Sequence, residues 1–390
     1  MTNIIIILIL LADVLVLYRQ RENHVFLIFN ITILYFNYSI LIGEYLSKSL
    51  EPLVSGLYST SFGNIYTVGL YLFFLSDLIR CFVQYKIKRL EYVFPNKPNK
   101  LNFFVLYTIL LYIGLFCINR EVSSSYEVKI SPLYEYSVIF FCLLIYFKPN
   151  DKYNILIFIL FLFFVIQDLF YGGRITSLQL MILYATSSLK QVISLRSILI
   201  AFPLGILLMT FVSIYRHNYS AVGLGVVILN IINTGFALDT AYYAYWASMT
   251  HIFASYYDSF EVGLNSLLPF ILSIFFGNSL ATALLNVDVN AAKLSYVSSY
   301  YHANQGGGMF FSWYYYWFGT IGMMLMVYLK FSFFNLSNRK SDICKLIFVV
   351  MVATSPRWYL YSPLVFFRGS FILLPIFYWT FVHLLKVRIR

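Results

Sequence analysis

Apolar residues in this chain come in long runs, interrupted by short stretches that hold most of the Lys and Arg. Runs of that kind predict membrane-spanning helices, since about 20 apolar residues cover about 30 Å of hydrocarbon. The pattern predicts an all-α polytopic membrane protein of about eleven transmembrane helices: 3–18, 24–43, 64–83, 101–119, 131–147, 153–170, 175–189, 196–215, 310–329, 344–361 and 370–386. The first run is not read as a cleavable signal, because Met-Thr-Asn precedes it without positive charge while Arg19 and Arg21 follow it. That charge order places the amino terminus outside. Taking the breaks in turn, basic residues concentrate on alternate sides, with Arg80, Lys86, Lys88, Arg89, Lys97, Lys100, Lys330, Arg339 and Lys340 among the inner ones. The expected topology is N-out and C-in.

Composition narrows the class further. Of 390 residues, 61% are hydrophobic and 11% charged, with a mean hydropathy of +0.78. A water-soluble fold cannot conceal that much apolar surface, which excludes a soluble enzyme, a nucleic-acid-binding protein and a disordered chain. The net charge of +11 then fits inner-face lysines and anionic lipid headgroups, with no nucleic-acid partner. Cys81, Cys117, Cys142 and Cys344 lie in or beside apolar runs and imply no disulfide framework. The abundance of Phe and Tyr fits a compositional bias, so single aromatic residues carry little weight.

The chain reads as one integral membrane domain, 1–390, in which 216–309 departs from the simple pattern. Two apolar runs, 221–232 and 262–285, could form a further pair of spans. Residues 236–261 would then face inward, yet they contain no Lys or Arg and include Asp239, Asp258 and Glu261. The expectation is one long periplasmic region with interfacial or re-entrant segments, Pro269 breaking the second run.

Candidate chemistry lies on the same side. Arg174, Arg216, Arg357 and Arg368 oppose the charge trend, falling at the outer ends of spans. Arg174 follows Gly172 and Gly173 and opens a helix; Arg368 precedes Gly369 and opens another. Helix amino termini and guanidinium forks both favour phosphate, so four such groups at one mouth suit a diphosphate without metal or other cofactor. Singly, each arginine is equally explained by snorkelling to headgroups. Gly306, Gly307 and Gly308 allow the backbone close to a ligand, and His302 beside them is a candidate general base. His217 and His251, with Asp239, Asp258 and Glu261, lack close metal-ligand spacing, and no metal site is expected. Asp77 and Arg80, three apart, are expected to pair; Asp13 is read as a structural polar contact; Asp168 is placed to orient Arg174; Glu135 has no evident partner. Trp313, Tyr314, Tyr315 and Trp317 suit interfacial anchoring or sugar stacking.

Gly172-Gly173-Arg174 opening a span, a long external loop, Gly306-Gly307-Gly308 leading to Phe318-Gly319-x-x-Gly322, and the final Pro356-Arg357-Trp358-Tyr359 and Phe367-Arg368-Gly369 together resemble the Wzy-type O-antigen or oligosaccharide repeat-unit polymerases. His302-x-Asn304 is similar to a feature of the related O-antigen ligases. The resemblance covers most of the chain in topology and few positions in sequence. It implies a GT-C-like glycosyltransferase of the bacterial inner membrane, its active site facing the periplasm. Its substrates would be undecaprenyl-diphosphate-linked glycans, and a chain-length regulator a further partner besides membrane lipids. A lipid-linked oligosaccharide flippase, an O-antigen ligase and, more distantly, a membrane acyltransferase remain alternative readings.

Overall fold

The computed structural model describes residues 2–46, 60–88, 92–118, 131–171, 175–188, 240–288, 290–301 and 307–384, with 204–205 and 229. The predicted spans 196–215 and the apolar run 221–232 lie outside these residues apart from 204–205 and 229. Everything described folds as helix or as short connections between helices. The helices are α1 (Thr2–Arg19), α2 (His24–Leu46), α3 (Thr60–Lys86), α4 (Lys100–Phe116), α5 (Ser137–Tyr146, after a turn Pro132–Glu135), α6 (Asn154–Phe170) and α7 (Ile175–Ser188). There follow α8 (Thr240–Tyr257), α9 (Phe260–Phe276), α10 (Asn278–Leu285), α11 (Leu294–Ser298), α12 (Phe310–Ser332), α13 (Asp342–Ala353), α14 (Ser355–Leu360) and α15 (Leu364–His383). Five helical runs among the described residues are long and apolar enough to cross a membrane: His24–Leu41, Thr67–Lys86, Asp151–Phe170, Phe310–Asn338 and Leu364–His383.

The outer helices are amphipathic in the sense a membrane requires. On α1, Ile4, Ile7, Leu8, Leu11, Val14, Leu15 and Tyr18 form a helical stripe that is exposed, while Ile5, Ile9, Asp13 and Val16 turn inward. On α3, Tyr71, Leu78, Phe82 and Tyr85 face outward, and Ser76, Asp77, Arg80 and Gln84 are buried. Water would not tolerate such apolar stripes, whereas lipid matches them. Inner helices are apolar all round: every residue of α5 is buried, as is α13 from Leu346 to Ala353.

Two elements differ from the sequence reading. The first is α8, eighteen residues within the stretch expected to be a periplasmic region. It packs among α2, α3, α11 and α12. Phe73 meets Tyr245 with ring centroids 5.8 Å apart, and Gly69 closely approaches Met249, so α8 runs antiparallel to α3. The second is α12, whose residues 310–329 are predicted as one span. Gly319 leaves the helical conformation at φ 63°, ψ −165°. A straight helix would separate Phe310 from Phe331 by about 31 Å, yet their rings lie 5.8 Å apart. The chain therefore folds back at Gly319 into two short antiparallel limbs.

The fold-back buries Lys330. Its side chain is 1% exposed, and its Nζ has no hydrogen-bond partner among the described residues. Rings of Phe310, Tyr314, Trp358 and Phe366 surround Nζ at 4.8–5.0 Å. Counted in the sequence among inner basic residues, Lys330 reaches no headgroup. Cation–π contacts worth about 2 kcal/mol when desolvated only partly offset the cost of a buried ammonium. Lys330→Met, similar in volume, is expected to raise stability by about 1–3 kcal/mol. A thermal unfolding series in one detergent checks this; a lowered Tm shows that the ammonium is stabilising.

Candidate functional site

Two of the four candidate arginines, Arg357 and Arg368, are described, and both reach the turn before α5. Arg174, Arg216, Gly172, Gly173, Gly306 and His302 lie outside the described residues. Ser131 caps the turn by accepting from the Leu133 N–H at 3.3 Å, and Pro132 opens it. Arg357 Nη2 donates to Glu135 Oε1 at 2.6 Å, a pairing the sequence did not show for either residue. Arg368 lies over the next residue, its guanidinium carbon 5.6 Å from the Tyr136 ring centroid and within hydrogen-bonding reach of the Tyr136 hydroxyl. Among the described residues, no carboxylate forms an ion pair with Arg368, and its buried Nε has no partner.

Gly277 completes this corner. It ends α9 and precedes α10 at φ 87°, ψ 159°, a conformation open essentially to glycine alone. A Cβ there would sit 3.2 Å from both terminal nitrogens of Arg368. The guanidinium therefore rests on the start of α10, where amide N–H groups lack intrahelical acceptors. Arg368 itself opens a stretch, Arg368–Leu373, wound as π-helix just ahead of Pro375, whose missing N–H interrupts the α-helical ladder.

The Gly-rich stretch ahead of α12 makes its close approaches to protein. Gly307, at φ 86°, lies against Tyr361 and the Leu360 carbonyl; Gly308, at φ 118°, lies against the His251 imidazole. The Met309 N–H donates to Ser248 Oγ at 2.8 Å. Ser312 Oγ donates to the Met309 carbonyl at 2.8 Å and stands 2.9 Å from His251 Nδ1. With its single proton spent on Met309, Ser312 accepts from Nδ1–H, leaving His251 Nε2 a buried acceptor without a partner. His251 is thus held in the interior by one hydroxyl. Trp313 and Tyr314, expected as anchors or stacking platforms, are buried in the core, and Trp317 Nε1 donates to Ser266 Oγ at 2.8 Å.

Next to this corner lies a buried polar network. Arg80 Nε donates to Asp77 Oδ1 at 2.9 Å, the expected pair, and Nη2 donates to Asp13. Nη1 reaches Asn30 and Gln84, each at 3.3 Å. Asn37 donates to Asp13 at 2.7 Å and to Asp77 at 3.2 Å, and accepts from the Tyr359 hydroxyl at 3.0 Å. Tyr359 is two residues from Arg357 on α14, so the network ties that helix to α1, α2 and α3. Asp13, Asp77 and Cys81 offer ligand atoms within 4.8 Å of one another, but they converge on the Arg80 guanidinium. Arg80 was counted as an inner-face charge; it is 1% exposed. Asp168 accepts from the Ser177 N–H at 2.8 Å.

The sequence reading missed Tyr136, Gly277 and Asn37, and weighed His251 only as a metal ligand. Gly277 carried a faint signal, as a glycine followed by Asn-Ser inside an apolar run; the others carried none. What the corner offers chemically is one guanidinium with no carboxylate partner among the described residues and one paired with Glu135, beside a helix start, an arrangement suited to a phosphate or diphosphate anion. Comparison of the chain with protein-family models, curated proteins and solved structures finds no match.

Proposed function

We propose that this protein polymerises undecaprenyl-diphosphate-linked oligosaccharide repeat units on the outer face of the bacterial inner membrane. The acceptor hydroxyl attacks the anomeric carbon of the donor glycan, the bond to the diphosphate breaks, and undecaprenyl diphosphate leaves. The observation that carries this reading is Arg368, without a carboxylate partner among the described residues, resting at the start of α10 beside Arg357 and Tyr136. Cationic groups there stabilise the charge that grows on the departing diphosphate. Arg174 and Arg216 join them in this reading, with His302 taking the acceptor proton. The donor is already activated, so the reaction requires no nucleotide.

In this reading the chain crosses the membrane about eleven times in a GT-C-like arrangement, with its amino terminus outside.

A flippase is the second reading, favoured by the Asp13–Arg80–Asp77 network. Two carboxylates against one guanidinium leave a formal excess negative charge inside the bundle, and such groups serve proton-coupled transport. Purified protein given synthetic lipid-linked repeat units, without nucleotide or added metal, separates the two. Polymer formation supports the polymerase. Transfer of intact units across a vesicle membrane without polymer overturns it.

A further inference from the structure

At the carboxyl-terminal end of α8, one turn beyond the buried core, a cleft of about 250 Å³ opens between the start of α9 and the segment around α11. Asp258, Asn265 and Ser266 line one side; Tyr296, Tyr300 and Tyr301 line the other, with Asp288 at the rim. Asp258 is fixed from two directions, accepting from the hydroxyls of Tyr301 and Tyr316. A carboxylate has four acceptor positions, so two remain for a ligand. The bond to Asp258 pushes the Tyr301 hydroxyl up to about 12, so this tyrosine stays a neutral donor at physiological pH. Tyr300 is 75% exposed, its ring meeting Tyr296 edge-on at 5.7 Å and its hydroxyl donating to that of Tyr296.

Aromatic faces with hydrogen-bonding carboxylate, amide and hydroxyl groups at their edge suit one ligand class above others. A pyranose ring presents apolar C–H faces to stack on tyrosine and equatorial hydroxyls to donate to carboxylates. Two acidic side chains, with no Lys or Arg among the described residues of the cleft wall, disfavour an anionic sugar. We propose that this cleft binds a neutral or amino sugar of a glycan chain.

The placement connects the cleft to the arginine corner. α9 carries Ser266 on the cleft wall and ends at Gly277 under Arg368. Eleven residues of helix separate the two by about 17 Å. Trp317 and Phe270 pack along this stretch, their rings 4.7 Å apart, with Trp317 bonded to Ser266. A glycan whose diphosphate sits at Arg368 can therefore run along α9 and place a sugar several units away in the cleft. Because α8 runs antiparallel to α3, the cleft lies at the end of the bundle where α3 begins, the outer side when the amino terminus is outside. This link rests on the polymerase reading; saccharide binding by the cleft does not.

The test uses the full-length protein in nanodiscs, titrated with millimolar trisaccharides of three kinds: neutral N-acetylhexosamine, amino sugar and uronate. Saturation-transfer NMR reports binding. The expected result is binding of the neutral or amino trisaccharide, weakened at least tenfold by Tyr300→Ala and by Asp258→Asn, with the uronate weaker throughout. Tyr300 is surface-exposed, so its variant keeps the fold, and an unchanged Tm verifies it. Absence of neutral and amino trisaccharide binding, equal binding of the uronate, or indifference to both substitutions overturns the proposal. If polymer forms with wild-type protein and both variants match it in rate and saccharide binding, the cleft fails and the polymerase reading stands. If no polymer forms but the variants lose saccharide binding, the polymerase reading fails and the cleft stands.

Discussion

Arg80→Met is expected to destabilise the protein by about 3–5 kcal/mol, the usual result of removing one partner from a buried ion pair. The residue is 1% exposed and bonded to Asp77, Asp13, Asn30 and Gln84. Without it, two buried carboxylates face one another with no cation between them, only the Asn37 amide and the Cys81 thiol among the described residues. The effect extends to α14, because the Tyr359 hydroxyl is held through Asn37. Asp13→Asn should cost far less, since the amide keeps an acceptor for Arg80 and removes the excess negative charge. A variant with Asp13→Leu, Asp77→Leu and Arg80→Met together should recover most of the stability, as apolar replacement of a whole buried ion cluster commonly does. Thermal unfolding and yield of monodisperse protein in one detergent measure all three. An Arg80→Met protein as stable as the wild type would show that the cluster contributes nothing to holding α1, α2, α3 and α14 together.

The parts of the fold legible in the sequence are those where a single helix meets lipid. The apolar stripe of α1 and the Asp77–Arg80 spacing on α3 are local patterns, and the structure shows both. What escaped depends on helices meeting one another. α8 is too polar to read as a span, with Ser248, Thr250 and His251 in its middle, because those groups are satisfied by neighbours such as Met309, Ser298 and Ser312. The charge rule had no Lys or Arg to weigh there. Gly319 is visible as a glycine, yet nothing local distinguishes a helical glycine from one that turns the chain back. Lys330 and Arg80 were counted among the inner basic residues, and their burial was not legible because burial is a tertiary property. Glu135 and Arg357 are 222 residues apart, and their pairing follows from the tertiary fold that brings α14 to the turn before α5. The candidate site was legible to the extent that its residue type was chemically conspicuous: Arg357 and Arg368 were, whereas Tyr136 and Gly277 were not.

Arg368→Ala is expected to lower the rate of polymer formation by about 10²–10³, the scale of losing one group that stabilises developing anionic charge. Arg368→Lys should recover only part of it, since an ammonium lacks the planar fork that grips two phosphate oxygens. Arg357 requires a different design, because its guanidinium already bonds Glu135 with both side chains about a third exposed. Arg357→Ala alone combines loss of a cation with an orphaned carboxylate, so a fall in activity would be ambiguous. Glu135→Gln leaves the arginine in place without its counter-charge and should keep or increase activity. Arg357→Met combined with Glu135→Met removes both charges together and should restore protein yield without restoring polymer. Rates from purified proteins at matched concentration, read as polymer length and released undecaprenyl diphosphate, decide the matter. If the double Met variant makes polymer at the wild-type rate, the pair only fastens α14 to the turn before α5. The diphosphate then depends on Arg368 and on arginines outside this corner. If Arg368→Ala is also fully active, the corner holds no substrate anion and the polymerase reading loses the observation on which it rests.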